Sequence, residues 1–137
     1  MQTLFENKLT RKYHLLACGK VNREGKITFK IQKNNKINKM EKNSLGLEAI
    51  TNYKLIKEYT NYSLVEATLE TGRMHQIRCH FELINHPLIG DKLYNTKINE
   101  NRVLLHSKKV SFFHPMLNKT LEIEIDYPND FEKYLYE

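Results

Sequence analysis

The sequence predicts an α+β fold, a mainly antiparallel sheet with one central helix, in a single domain over residues 1–137. Three observations predict it. Several stretches alternate apolar and polar residues with the two-residue period of strands. Two of these, 49–59 and 62–70, are separated only by a break near Thr60–Asn61, which is hairpin spacing. One stretch, 73–84, instead places Met74, Ile77, Phe81 and Ile84 at three- and four-residue steps, as an amphipathic helix does.

The elements follow in order. "RKYHLLACG" (11–19) is apolar and ends at a glycine, as a buried strand does. "GKITFKIQK" (25–33) sets Ile27, Phe29 and Ile31 against Lys26, Thr28 and Lys30, which reads as one strand with a wet, basic face. The polar run 33–46 reads as a long loop. In 62–70, Val65, Ala67 and Leu69 share one side and Leu64, Glu66 and Thr68 the other. Thr71–Gly72 breaks that strand, the helix opens near Gly72, and Pro87 and Gly90 forbid its continuation. "RVLLHSKKVSFFHP" (102–115) and "KTLEIEIDYP" (119–128) are further strands, and 129–136 suits a short final helix.

Hydrophobic residues make up 40% and charged residues 28% of the chain, which excludes a disordered composition. Cys18 and Cys79 are far apart, so no disulfide framework is expected and a reducing compartment is. No long apolar run occurs and the first thirteen residues lack an apolar signal region, so the expectation is a soluble, cytoplasmic protein with no membrane partner. The net charge of +6 is one-sided: residues 1–50 hold 11 basic and 4 acidic side chains, residues 51–137 hold 11 and 12. A basic field of this kind fits a polyanion such as RNA. A merely solvated lysine-rich surface would look the same, and charge alone leaves the two open.

Only 5 of the 22 basic side chains are arginine, yet Arg73 and Arg78 fall together in "TGRMHQIRCH" (71–80). On a helix beginning near Gly72, His75, Arg78, Cys79 and Glu82 would form a polar stripe. Arg73, Arg78 and the amides of the first turns would make a site for a phosphate or carboxylate. His75, Cys79, His80 and His86 could also be weighed as metal ligands. However, Cys18 stands alone, no Cys-x-x-Cys occurs, and helical geometry turns His80 away from Cys79, so no metal is expected.

The same residues carry a resemblance. "LETGRMHQIRCHFELINHPLIGDKLYN" (69–95) resembles the RluA-like family of pseudouridine synthases, whose pattern is a Leu-x-Thr-Gly-Arg-x-His-Gln-Ile-Arg-x-His block followed by His-Pro-(Ile/Leu)-x-Gly-Asp-x-x-Tyr. "LTRKYHLLACGK" (9–20), "LLHSKKVSFFHP" (104–115) and "YPNDF" (127–131) resemble the flanking segments. Met74 replaces a small polar residue of the pattern and Cys79 a valine. The resemblance implies the C-terminal portion of the catalytic domain of an enzyme that breaks the uridine N-glycosidic bond and rejoins C1′ to C5. It implies no cofactor, because an aspartate does the covalent or base chemistry.

Carried over residue by residue, Tyr13 would stack near the target uridine and Arg78 would pair with the nucleophilic aspartate. Arg73, His75 and Gln76 would lie near the RNA backbone and the pocket wall, while Lys30, Lys33 and Lys36 would hold phosphates. The nucleophile itself belongs to an Arg-Leu-Asp-like motif ahead of the Tyr13 strand. The chain has three aspartates, Asp91, Asp126 and Asp130, and none precedes residue 91. The expectation is therefore a truncated catalytic domain that binds ribosomal or transfer RNA, is inactive alone, and leaves Arg78 unpaired beside an open cleft. A complementing N-terminal half would be its partner. The alternatives are a non-catalytic RNA-binding module of the same descent, or an unrelated basic anion- or metal-binding domain.

Overall fold

The computed structural model describes residues 9–136, so the first eight residues, over which the lack of a signal region was read, lie outside it. Six strands form one sheet: β1 (Thr10–Cys18), β2 (Glu24–Ile27), β5 (Thr51–Glu58), β6 (Tyr62–Leu69), β7 (Leu105–His114) and β8 (Lys119–Glu124). Their order is β2-β5-β6-β1-β7-β8, with every neighbouring pair antiparallel. A separate hairpin pairs β3 (Ile31–Asn34) with β4 (Lys39–Lys42), and among the described residues the helices are α1 (Gln76–Leu83) and α2 (Asn129–Glu132). This is the α+β arrangement the sequence predicts.

Strand β1 is apolar on both sides because both sides are covered. Leu15 and Ala17 pack with Val65 and Ala67 under Ile77 and Phe81 of α1. Leu16 and Cys18 pack on the reverse face with Leu64, Tyr59, Leu104 and Phe131 of α2. Each fully buried aliphatic or aromatic side chain stabilises the fold by about 1.5–3 kcal/mol. At Tyr13 the register between β1 and β7 shifts, and Lys108 is the extra residue. Such bulges re-aim side chains where strands end or sites begin.

Four expectations change. The run 25–33 is not one strand: it breaks at 28–30, so that Ile27 enters the core of the large sheet and Ile31 enters the core under the hairpin. The expected loop 33–46 contains β4, whose Met40 is buried beside Cys79 and Tyr94. Helix α1 begins at Gln76 rather than 73, because His75 takes a left-handed conformation (φ 51°) that a helix cannot continue. The final helix covers only Asn129–Glu132. Among the described residues, no helix is long and apolar enough to cross a membrane.

Candidate functional site

The guanidinium fork of Arg78 does hold a carboxylate, but within the chain. Its Nε donates to Asp91 Oδ2 at 2.8 Å and its Nη2 to Asp91 Oδ1 at 2.9 Å. Asp91 is fully buried (0% exposed) in the turn after α1, and Oδ1 also accepts from the backbone N of Tyr94. The Tyr94 ring lies under the guanidinium, 5.1 Å away. Arg78 is therefore not the unpaired cation expected at an open cleft. Its bond to Asp91 raises its already high pKa, against the effect of burial. The partner escaped the sequence reading because Asp91 follows a Pro87–Gly90 turn that returns the chain to α1, a reversal that periodicity does not register.

The neighbouring motif residues also have work inside the protein. Gln76 is 2% exposed. Its Oε1 accepts from Thr71 Oγ1 (2.7 Å) and from the backbone N of Arg73 (3.0 Å). Its Nε2 donates to Ile50 O and to Thr51 Oγ1, both at 3.0 Å. All four hydrogen-bonding positions of the amide are filled, so Gln76 clamps the β6–α1 turn to β5 and has none left for RNA. His75 is half-buried before the helix, its Nδ1 3.0 Å from Tyr94 Oη. Burial and then the charge of Arg78 hold its pKa below the usual histidine range. Cys79 is buried with its Sγ donating to Met40 O, and burial pushes its thiol up to about 11. The polar stripe expected through His75 and Cys79 is thus absent. The expected anion site does not form either: Arg73 precedes the helix, with its Nε donating to Glu48 O at 2.9 Å, while Arg78 turns to Asp91.

Tyr13 lines a different place, an open groove of about 430 Å³ between the start of β1 and the turn after β6. Arg11, Thr68, Glu70, Thr71 and Gly72 share that groove. Among the described residues no hydrogen bond or ring contact joins Tyr13 to Arg78. Lys30, Lys33 and Lys36 are exposed on and beside the β3–β4 hairpin. Lys39 is half-buried, 3.3 Å from Glu82 Oε2 and over the Tyr94 ring.

The other histidines have structural partners. His80 Nδ1 lies 2.9 Å from Thr51 Oγ1 and its Nε2 3.2 Å from Phe29 O, while His86 Nδ1 lies 2.8 Å from Cys18 O. With Cys79 on Met40, the residues weighed as ligands face separate surroundings. No group of three or more candidate ligands forms among the described residues. On the reverse face, buried His14 places Nε2 2.9 Å from Glu66 Oε2 and Nδ1 2.7 Å from Tyr127 Oη. A carboxylate only accepts, so Nε2 carries the hydrogen and Nδ1 accepts from the tyrosine, which satisfies a neutral ring. Burial holds His14 below its usual pKa, outweighing the pull of Glu66. Burial also pushes Glu66 up, but its bonds to His14 and Lys12 win and leave it low.

His14 and His80 are both depressed by burial. Below about pH 6.5 the unfolded chain takes up protons that the folded chain refuses. Their contribution to stability is present above that pH and is lost on acidification, by up to about 1.4 kcal/mol per pH unit for each ring. The urea midpoint should therefore fall between pH 7.5 and pH 5.5. A midpoint constant over that range would show that both rings take up protons as readily in the folded protein as in the unfolded chain.

Comparison with known proteins places the chain. Residues 1–83 match the model of a family described as RNA pseudouridylate synthase. The Ribosomal large subunit pseudouridine synthase D of Buchnera aphidicola subsp. Baizongia pistaciae is 34% identical over 139 residues, covering 90% of this chain and 44% of that protein. The protein of the same name from Neisseria meningitidis serogroup B (strain MC58) is 33% identical over 145 residues, covering 95% and 39%. The chain spans less than half the length of these relatives. The fold is that of the solved Human RNA Pseudouridylate Synthase Domain Containing 1, with a TM-score of 0.75 at 22% identity over 90% of this chain and 56% of that one. The motif around Arg73 and Arg78, the sheet that carries Tyr13 and the matched family lead to one conclusion: this chain belongs to the RNA pseudouridylate synthase family.

Proposed function

We propose that the chain is the C-terminal, RNA-holding portion of a pseudouridine synthase catalytic domain, and that alone it binds RNA without isomerising uridine. The observation that carries the second half is the placement of its aspartates. Asp91 is buried in the fork of Arg78, Asp130 is paired with Arg102 at 2.6 Å, and Asp126 lies exposed after β8. None lines the Tyr13 groove, whose one carboxylate among the described residues, Glu70, is bonded to Asn52 and 3.6 Å from Lys26. A catalytic group misplaced by about 1 Å can lose 100-fold in rate. The carboxylate would come from the remainder of the domain, with Tyr13 offering its ring to the flipped uridine. Ribosomal or transfer RNA as substrate puts the protein in the cytoplasm.

RNA would be held first by Lys30, Lys33 and Lys36, whose exposed ammonium groups follow phosphates without reading sequence. Replacing the three by serine should weaken binding to all RNAs alike. It should also flatten the salt dependence of affinity for a single strand by about two log units per log unit of salt, roughly 0.7 per phosphate contact. Unchanged affinity and slope would return these lysines to a solvated surface. Purified chain incubated with total RNA should yield no pseudouridine, and an N-terminal half bearing the Arg-Leu-Asp motif should restore it. Turnover by the chain alone would overturn the proposal. A second reading, a binding module that has left catalysis, is favoured by Arg78 having its carboxylate in cis; it predicts RNA binding with no turnover even when the N-terminal half is supplied.

A further inference from the structure

On the basic hairpin and the loop after it lies an apolar groove, floored by the core residues Ile31 and Met40, that the Tyr13 site does not use. It has a volume of about 350 Å³ and is lined by Leu45, Leu47 and Met74 as well as Ile31 and Met40, and its lining includes the basic Lys33 and Arg73. Leu45 is 88% and Leu47 62% exposed, an unusual position for two leucines in a short polar loop. They are not loosely held. Ile31 and Leu47 exchange both backbone hydrogen bonds at 3.0 Å, Asn43 N donates to Lys30 O, and Leu45 N donates to the Asn43 side chain at 2.9 Å. Gly46 lets the loop approach this closely, since a Cβ there would lie 2.4 Å from Ile31 O. The opposite wall is also held, because Arg73 Nε is bonded to Glu48 O and Arg73 N to the Gln76 clamp. The loop therefore presents apolar surface to solvent in a fixed shape, the arrangement that lowers the entropy cost of binding.

We propose that this groove takes an unstacked nucleobase of the bound RNA, apart from the uridine at Tyr13. The inference rests on the RNA-binding reading above and adds a second base subsite to it. The chemistry favours a base over an apolar peptide. The lining carries two cations, Lys33 and Arg73, with Lys30, Lys36 and Lys42 exposed on and beside the hairpin, so a ligand entering it should carry negative charge next to an apolar face. A nucleotide has that composition. Leucine and methionine walls accept the flat face of a base, methionine sulfur interacts favourably with aromatic rings, and a guanidinium plane stacks on them. Apolar walls select against no base, so the subsite would require a base without specifying which one.

The test uses the whole chain and two probes of equal charge, a single-stranded 12-mer of uridylates and the same 12-mer built with abasic spacers. The parent chain should bind the base-bearing strand roughly tenfold more tightly. Leu45→Ser with Leu47→Ser should remove most of that preference while leaving affinity for the abasic strand unchanged. Both leucines are exposed, so a thermal melt should match the parent's. Should that variant melt early, Leu45→Glu alone addresses the same groove at its most exposed position. A preference that survives in the variant would assign base contact to Tyr13 and overturn the groove alone. A parent chain that binds neither strand at low salt would overturn the RNA reading and the groove with it. Self-association of the parent that the leucine substitutions abolish, with the base preference intact, would reassign the groove to a second copy of the chain.

Discussion

Replacing Arg78 by alanine should lower the unfolding free energy by about 3–5 kcal/mol, the range for removing one partner of a buried ion pair. Asp91 is fully buried, and the Arg78 side chain is only 21% exposed, so water does little to screen the loss. The carboxylate would keep its bond from Tyr94 N and lose both charged donors. Arg78→Lys should recover only part of the loss, because an ammonium cannot donate in parallel to both oxygens or lie flat over Tyr94. Asp91→Asn combined with Arg78→Leu should cost clearly less than the two single changes together, since the pair then leaves no lone buried charge. Urea denaturation of the five variants, the two single changes of that pair included, measures this. An Arg78→Ala midpoint equal to the parent's would mean that the Arg78–Asp91 pair adds no net stability to the fold. The distinction bears on function: a stability loss identifies Arg78 as the brace of the 84–91 turn, whereas a group reserved for an incoming nucleophile could be removed with little effect on the isolated chain.

Gly90→Ala should be similarly severe, at about 2–5 kcal/mol. A left-handed backbone costs a non-glycine residue about 1–2 kcal/mol, and forcing an atom into packed surroundings about 1–3 kcal/mol more. Gly90 has φ +81°, and a Cβ would stand 2.0 Å from the backbone oxygen of Arg102, which cannot swing away as a side chain can. Because Gly90 precedes Asp91, the shift would be passed to the Arg78 pair. Gly72→Ala is the control. It belongs to the same motif region, but a Cβ there meets nothing within 4 Å, so its stability should be within about 0.5 kcal/mol of the parent. A thermal melt of both variants decides. Equal losses would show that Gly72, at the mouth of the Tyr13 groove, is also held by packing.

What the sequence determined by itself is the part that local period and side-chain chemistry carry. Strands β1, β5, β6 and β7 and the body of α1 were legible because each buries or half-buries a face large enough to impose a two-residue or 3.6-residue repeat, and β8 was legible from its alternation alone, since Ile123 stays 51% exposed. The Arg78 chemistry was legible in kind, since a fork in an arginine-poor chain calls for a carboxylate. Tertiary structure alone decided which one, because a turn brings Asp91 back against α1 and no repeat connects positions 78 and 91. The β3–β4 hairpin was hidden for a related reason. It buries only Ile31 and Met40, two residues against Cys79, Ala49 and Tyr94 from distant parts of the chain, too few to write a period into 33–46. The start of α1 was likewise set from outside, by Thr71, Ile50 and Thr51 closing around the Gln76 amide. A periodic pattern records which face of an element is buried; which distant group meets it depends on how the turns bring the chain back.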